Sequence, residues 1–430
     1  MRCFVIVCIL LCSARPGISN SLASGMPVDR ISHDSIPCDH ESPLQAILKP
    51  LFRYASVIPA YNDNDGFMAG PGVTNVYKSD SSAYSYVIAP VYSFTHKKVL
   101  GAASIQYGRD VNHPSILRYF GGLTLRSFDM QRNPDFQYAL RYTLFRPLAG
   151  IILSGPDHPN TFSRLTISAS VILEEEALFT PTGSFSDIRT VASDIYRIRY
   201  DKTWCTNGKT QGYAITAEQQ WYGENHYLKI TGDIHYAYPY RKDRYVYFRF
   251  FGAAFPLNTR RQAMGYQNTF TRGTIALIHQ GFNDYAYDDS FFSRRNQDRA
   301  FDNQVSLEEG GGFKTPVGSA YTTGMSNNFA ASVNWSADTP FKTGPVDLRI
   351  FIDAGVYSVP ENGKMKTKSM YSGGFSLHYR DIGAIHLPLV FNSELANTYR
   401  EVHKTFLSRI SFSLNIERLL FGRPAQWNVL

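Results

Sequence analysis

Pro345 to Tyr357 reads P-V-D-L-R-I-F-I-D-A-G-V-Y, and its pattern decides the fold. Val346, Leu348, Ile350, Ile352, Ala354 and Val356 fall on one face; Asp347, Arg349, Phe351, Asp353, Gly355 and Tyr357 fall on the other. Strict alternation is the period of an extended strand, because successive side chains leave a pleated backbone on opposite sides. One face here is apolar and the other carries three charges. A soluble sandwich buries the apolar face, whereas a transmembrane barrel turns it to lipid and its polar face to the lumen.

The same alternation recurs along the chain. Leu228, Ile230, Ile234 and Tyr236 oppose Lys229, Thr231, Asp233 and His235; Val246, Phe248 and Phe250 oppose Tyr247 and Arg249. Ile410, Phe412, Leu414 and Ile416 oppose Arg409, Ser411, Ser413, Asn415 and Glu417. Charges on the second face are tolerable against water and costly in a dry core, so the pattern favours a barrel over a sandwich. Strands are expected near 53–61, 66–77, 83–94, 97–108, 117–128, 135–147, 161–175, 187–201, 210–222, 226–238 and 244–256. A long irregular segment, 257–327, follows. Five more strands are expected near 328–336, 346–357, 369–379, 381–391 and 408–418. The reading is an all-β, transmembrane antiparallel barrel of about 16 strands in a bacterial outer membrane, its wall meeting lipid. With both ends of the barrel on the periplasmic side, the long segment emerges on the outer side, where long loops belong. Several turns are short, but Pro147 to Asn160 reads as a long periplasmic connection.

Composition agrees. The chain has 430 residues, 28 Tyr and 29 Phe among them, and aromatic side chains suit a wall that meets both lipid and water. Residues 1–20 read as a secretory signal: Arg2, then the apolar run Phe4 to Cys12, too short to span a bilayer as a helix. Cleavage is expected near Ser19 to Ala23; a lipoprotein signal ending at Cys12 is the alternative, opposed by the bulk of Leu11. Residues 21–52 read as a periplasmic lead-in and 53–430 as the barrel. Cys38 and Cys205 are the cysteines beyond the signal, and nothing in the sequence says whether they pair. The formal charge of +7 is spread along the chain, which argues against a nucleic-acid surface.

Candidate chemistry is sparse. The cluster His33, Asp34, Cys38, Asp39, His40 and Glu41 has no recognised metal spacing. Asp284, Asp288 and Asp289 lack the spacing of an EF-hand. Gly310-Gly311-Gly312 lacks the strand–loop–helix setting and the Lys-Ser/Thr ending of a phosphate loop. His226, His235, His378 and His386 lie on different strands, without a nucleophile motif. The expectation is therefore no enzyme, no metal and no cofactor.

F-I-D-A-G at Phe351 to Gly355 resembles the F-x-D-x-G strand of the bacterial surface antigen barrels, sixteen-stranded proteins of outer-membrane assembly and two-partner secretion. Ser372 to Arg380, Ile385 to Leu389 and Arg409 to Ile416 are similar to that family's closing strands. A closer likeness, to the barrel of Bacteroidota aminopeptidase-N-like metallopeptidases, runs through Ala60 to Met68, Asp284 to Arg294 and Leu307 to Lys314. No H-E-x-x-H occurs, so the likeness implies the barrel without the peptidase. It also implies that the long segment is the sixth outer loop, folded into the lumen, with a tip, Arg-Gly-aromatic in the family, that meets the strand aspartate. The matching place here is Gly311-Gly312-Phe313, followed by Lys314 and lacking a preceding Arg. The expected anchor set is thus Phe351, Asp353 and Gly355 on the strand, Gly312, Phe313 and Lys314 at the tip, with Arg294, Arg295 and Arg299 as further cations. The roughly 30 residues ahead of the first strand are too few for the family's periplasmic domains, so the resemblance implies a periplasmic or outer-membrane protein partner supplying that part. A passive solute channel is the alternative, with an outer-membrane enzyme behind it.

Overall fold

The structure is a computed structural model. It describes residues 57–414 apart from 63–64, 80, 134–137, 155–160, 181–184, 207–208, 224, 260–273, 281–290, 292–299, 318–322, 344, 380–381 and 403–404. The expected signal, lead-in, Cys38, the 33–41 cluster and the 284–289 aspartates lie outside these residues.

The strands are β1 (Val57–Asn62), β2 (Gly66–Pro71), β3 (Val73–Lys78), β4 (Ser82–Ser93), β5 (Lys98–Asp110), β6 (Ile116–Asn133) and β7 (Tyr138–Ser154). They continue as β8 (Thr161–Phe179), β9 (Phe185–Thr206), β10 (Lys209–Tyr222), β11 (Asn225–Arg241) and β12 (Arg244–Asn258). After a short inner pair, β13 (Ile275–Ala276) and β14 (Met325–Ser326), come β15 (Phe329–Thr343), β16 (Val346–Glu361) and β17 (Lys364–Tyr379). The last are β18 (Gly383–Phe391) and β19 (Ser411–Leu414), with helix α1 (Ser393–Glu401) between them.

All but β13 and β14 form one antiparallel sheet in which strands pair in chain order, β2 and β3 excepted. β2 and β3 lie end to end against β4, so the described residues give the wall sixteen strand positions. β12 pairs directly with β15, which leaves residues 259–328 as one excursion from the sheet, the sixth on its side. Among the described residues no ladder joins β19 to β1, and the seam of the barrel falls between them.

The pleat sorts the side chains. Along β16, Ile350, Ile352 and Val356 are exposed, while Phe351, Asp353 and Tyr357 are buried; Ile352 is 51% exposed and Asp353 0%. An apolar belt faces outward on other strands too, through Ile105, Ile167, Ile198, Ile215, Ile234 and Phe250. Aromatic side chains edge it. Tyr84, Tyr107, Tyr119, Tyr238, Tyr240 and Tyr379 lie exposed near the short-turn rim, and Phe67, Tyr92, Phe94 and Trp221 near the long-loop rim. Tyr84 and Tyr92 stand eight residues apart on β4. That is about 26 Å along the strand, or about 20 Å in projection at the usual tilt. The apolar band of outer-membrane barrels is about 25 Å tall, flanked by such girdles.

Two expectations need correction. The connection placed at Pro147 to Asn160 is short, because β7 runs through Pro147 to Ser154. The β7–β8 pairing skips Arg146 and Pro147, so the proline without an N–H sits where the ladder has a gap. The inner face is also less wet than its charges suggest. Leu140, Tyr142, Leu144, Ile172 and Ile195 form a buried apolar cluster on the inside of β7–β9, and Met68, Val91 and Leu100 form another on β2, β4 and β5. The final strand, expected over 408–418, is described only over Ser411–Leu414, after a 3-10 turn at Leu407–Arg409.

Candidate functional site

The excursion between β12 and β15 returns into the barrel as a plug. Its described stretches 274–280, 302–306, 311–317 and 324–327 are buried. Leu277, Ile278, Phe313 and Val317 pack with Phe251 and Phe255 of β12, Ala330 of β15, Tyr357 of β16 and Met370 of β17. Burial of this kind stabilises by about 25 cal/mol per Å² of apolar surface removed from water. The plug's own backbone bonds include Gly311 N–H to Ala276 O (2.9 Å) and Leu277 N–H to Gly324 O (2.8 Å).

At the tip the expected partners meet. The Asp353 carboxylate accepts the Lys314 ammonium at 2.8 Å, the Lys314 backbone N–H at 2.9 Å and the Asn334 amide at 3.0 Å. Asp353 is 0% exposed and Lys314 6%. Hydrogen-bonded compensation of this density is what a buried charge pair requires. The Lys314 ammonium also lies 5.1 Å from the Phe351 ring centroid, a cation–π contact. Next to it, Thr315 donates to Ser372 Oγ (2.7 Å), and Ser411 donates to the Lys314 carbonyl (2.5 Å).

Two glycines make the approach possible. A Cβ at Gly355 would stand 2.9 Å from Leu277 Cδ1 and 3.1 Å from Phe313 Cε2, so the bare backbone admits the plug's apolar side chains. Gly312 has φ +64° and faces Arg249: a Cβ there would lie 2.2 Å from Nη1.

Arg249 of β12 is the member that sequence reasoning missed. Its guanidinium donates to the carbonyls of Leu307, Glu308 and Gly310, each at 2.8 Å. Asp233 of β11, one strand away, holds it from behind through both carboxylate oxygens at 3.1 Å. The loop itself brings lysine, and the planar fork comes from the wall. The signal was present in the sequence: a single arginine on the inner face of the otherwise aromatic run Tyr245 to Phe251. Nothing in the sequence tied it to residues some sixty positions away.

Arg294, Arg295 and Arg299 lie outside the described residues. Of the four strand histidines, His378 and His386 come together below the tip, ring centroids 5.9 Å apart. His386 is bonded between Ser376 (2.8 Å) and Ser413 (3.1 Å). His226 stacks on Trp221, and His235 pairs with Asp233. Among the described residues no cluster has the makings of a metal site.

Above the tip, α1 closes against the plug. Asn392 caps it by accepting from Leu395 N–H, and Glu394 takes the Tyr357 hydroxyl and the Lys368 ammonium. Leu395 joins the plug's apolar cluster, and Thr398 shares a hydrogen bond with Thr323. Burial lowers the pKa of His279, within the plug, to about 3.

No protein-family model matches the sequence, and no curated protein matches it. Among solved structures, the chain is similar to BamA from Haemophilus ducreyi lacking POTRA domains 1-3, at 11% identity and a TM-score of 0.42. That match covers 78% of this chain and 66% of the other. CdiB from Acinetobacter baumannii gives 10% identity, a TM-score of 0.38 and coverage of 78% and 55%. CdiB from Escherichia coli gives 12%, 0.37 and coverage of 77% and 58%. The chain thus spans two thirds or less of each of these proteins. The wall itself sets the class: lipid-facing apolar strands, aromatic rims and a plugged polar interior make this an outer-membrane β-barrel.

Proposed function

We propose that the chain is a non-enzymatic outer-membrane platform of surface-antigen type, serving the export or assembly of other proteins, with a lumen closed by its own sixth outer loop. In this reading residues 1–20 are a signal, 21–52 a periplasmic lead-in, and the barrel is of the kind carried by Bacteroidota metallopeptidases. A periplasmic or outer-membrane protein works with it. The observation that supports this most is the clasp of Lys314 by Asp353 on the F-x-D-x-G strand. A loop held by a buried charge pair, a wall arginine and an apolar cluster is built to stay in the lumen rather than to pass solute freely.

Planar-bilayer recording of the purified barrel tests the reading. A plugged platform gives almost no steady current, and steady open-pore current defeats it. Loss of particular surface or secreted proteins after gene deletion, with small-solute uptake unchanged, is the expected cellular result. A passive channel is the second reading. A cavity of about 340 Å³ favours it, lying between the plug and the inner face of β9–β12 and lined by Arg197, Arg199, Lys229, Asp233 and Glu308 among others.

A further inference from the structure

The cavity between the plug and β9–β12 has its charges sorted along its length. It follows β10 from Thr210 to Glu218, about 26 Å along the strand. The strand registers set its rows. Nearest the long-loop rim, Arg197, Glu218 and Lys229 stand side by side on β9, β10 and β11. Arg197 and Lys229 both reach the one carboxylate, at 2.7 Å each. The next row adds Arg199 beside Thr216 and Thr231. The upper part of the wall thus sets three cations against one carboxylate.

Below them the sign reverses. Asp201 and Asp233 flank Ala214 in the following row. Arg199 reaches down to Asp201 at 2.7 Å, so the two halves meet there. The plug adds Glu308 and Glu309 from across the cavity, at the level of Arg249, which holds the Glu308 carbonyl. Among the described residues no cation pairs with the Glu308 carboxylate, and the side chain is exposed. Arg164 and Arg249 hold Asp201 and Asp233 from the neighbouring strands, so carboxylates outnumber arginines in this half. Ala214, Thr216, Thr231 and Ala253 have short side chains that keep the middle of the slot open.

The spacing of the rows sets the size of a fitting solute. Adjacent rows on one face lie about 7 Å apart, and the first cation row lies about 13 Å from the carboxylate row. An extended peptide spans about 3.3–3.6 Å per residue, so about two to four residues put its two charged ends at those separations. The volume of about 340 Å³ sits at the low end for ligand pockets, which run to about 1,000 Å³. We infer that the cavity is a binding site for a short zwitterionic peptide lying along β10. Its carboxylate faces Arg197, Arg199 and Lys229, and its ammonium faces Asp201, Asp233 and Glu308. Thr216 and Thr231 offer hydroxyls to the peptide groups between. The site does not rest on the platform reading, since a plugged barrel binds such a peptide without passing current.

The test is calorimetric titration of the purified full-length barrel in detergent, with trialanine, its N-acetyl form and its C-terminal amide as probes. Trialanine should bind, and each blocked form should bind at least about tenfold more weakly, the worth of one charge-assisted contact. Glu308→Gln should weaken trialanine and leave the acetyl form no weaker. Arg199→Gln should weaken trialanine and leave the amide no weaker. Glu308 bonds to Arg249 through its carbonyl, so its side chain can change without releasing the plug. Absence of trialanine binding overturns the inference, as does unchanged affinity in both variants. An acetyl form that binds as tightly as trialanine makes the cavity a simple anion site and overturns it too. Planar-bilayer current reads the platform proposal separately, so either idea can fail alone.

Discussion

Asp353→Ala is the sharpest perturbation of the plug. The carboxylate is 0% exposed and takes three donors, one of them the ammonium of a Lys314 that is itself 6% exposed. Deleting it leaves a buried cation unpaired and the Lys314 N–H without its acceptor, while the Asn334 amide keeps only the Gly312 carbonyl. Breaking a buried pair from one side costs about 3–5 kcal/mol. That divides the ratio of seated to released plug by about 100 to 4,000. Removing both charges is milder, because no uncompensated ion remains; Asp353→Leu with Lys314→Met should recover a good part of the loss. The assay is limited proteolysis of the 259–328 excursion in intact outer membranes, paired with bilayer conductance. Asp353→Ala should make the loop cleavable and the barrel leaky, and the double variant should lie nearer the parent. A loop as protected in Asp353→Ala as in the parent would refute the reasoning, since the pair would then not hold the plug.

Arg249→Lys keeps the charge but loses the fork that reaches three carbonyls; loop protection should fall, by less than in Asp353→Ala, in the same proteolysis assay. Gly355→Val drives a branched side chain against the Ala331 carbonyl of β15 and into Leu277 and Phe313, so the plug should loosen, and heat-modifiability on gels reports separately on the strain in the wall. Acid should loosen the plug through His279. Its pKa is about 3 when seated and about 6.5 when exposed, so the seated form binds fewer protons. Its contribution is full above about pH 6.5 and is lost as pH falls toward 3. Loop cleavage should therefore rise on acidification by an acid-stable protease, and His279→Phe should flatten that rise.

The wall was legible because its signal is local. Period-two alternation follows from the pleat, so Ile350, Ile352 and Val356 could be assigned to lipid and Asp353 to the interior from one strand alone. The resemblance then made the long segment the sixth outer loop. The resemblance set the Gly311-Gly312-Phe313 tip opposite the strand aspartate, but the family's cation precedes the glycine, and here Lys314 follows the aromatic residue. The apolar patches inside β7–β9 and β2–β5 were not readable, since alternation tells which face a residue takes and not what covers that face.

By itself, then, the sequence determined a sixteen-crossing wall with grease outward, and a loop long enough to return through its middle. Only the tertiary structure decided which groups grip that loop. Arg249 lies about sixty residues from the carbonyls it holds, Asn303 more than a hundred from Ser408, and His378 meets His386 only through the β17–β18 hairpin. Strand alternation is fixed by backbone geometry within a few residues. The choice among distant partners depends on the path of a long loop, which packing inside the closed space sets.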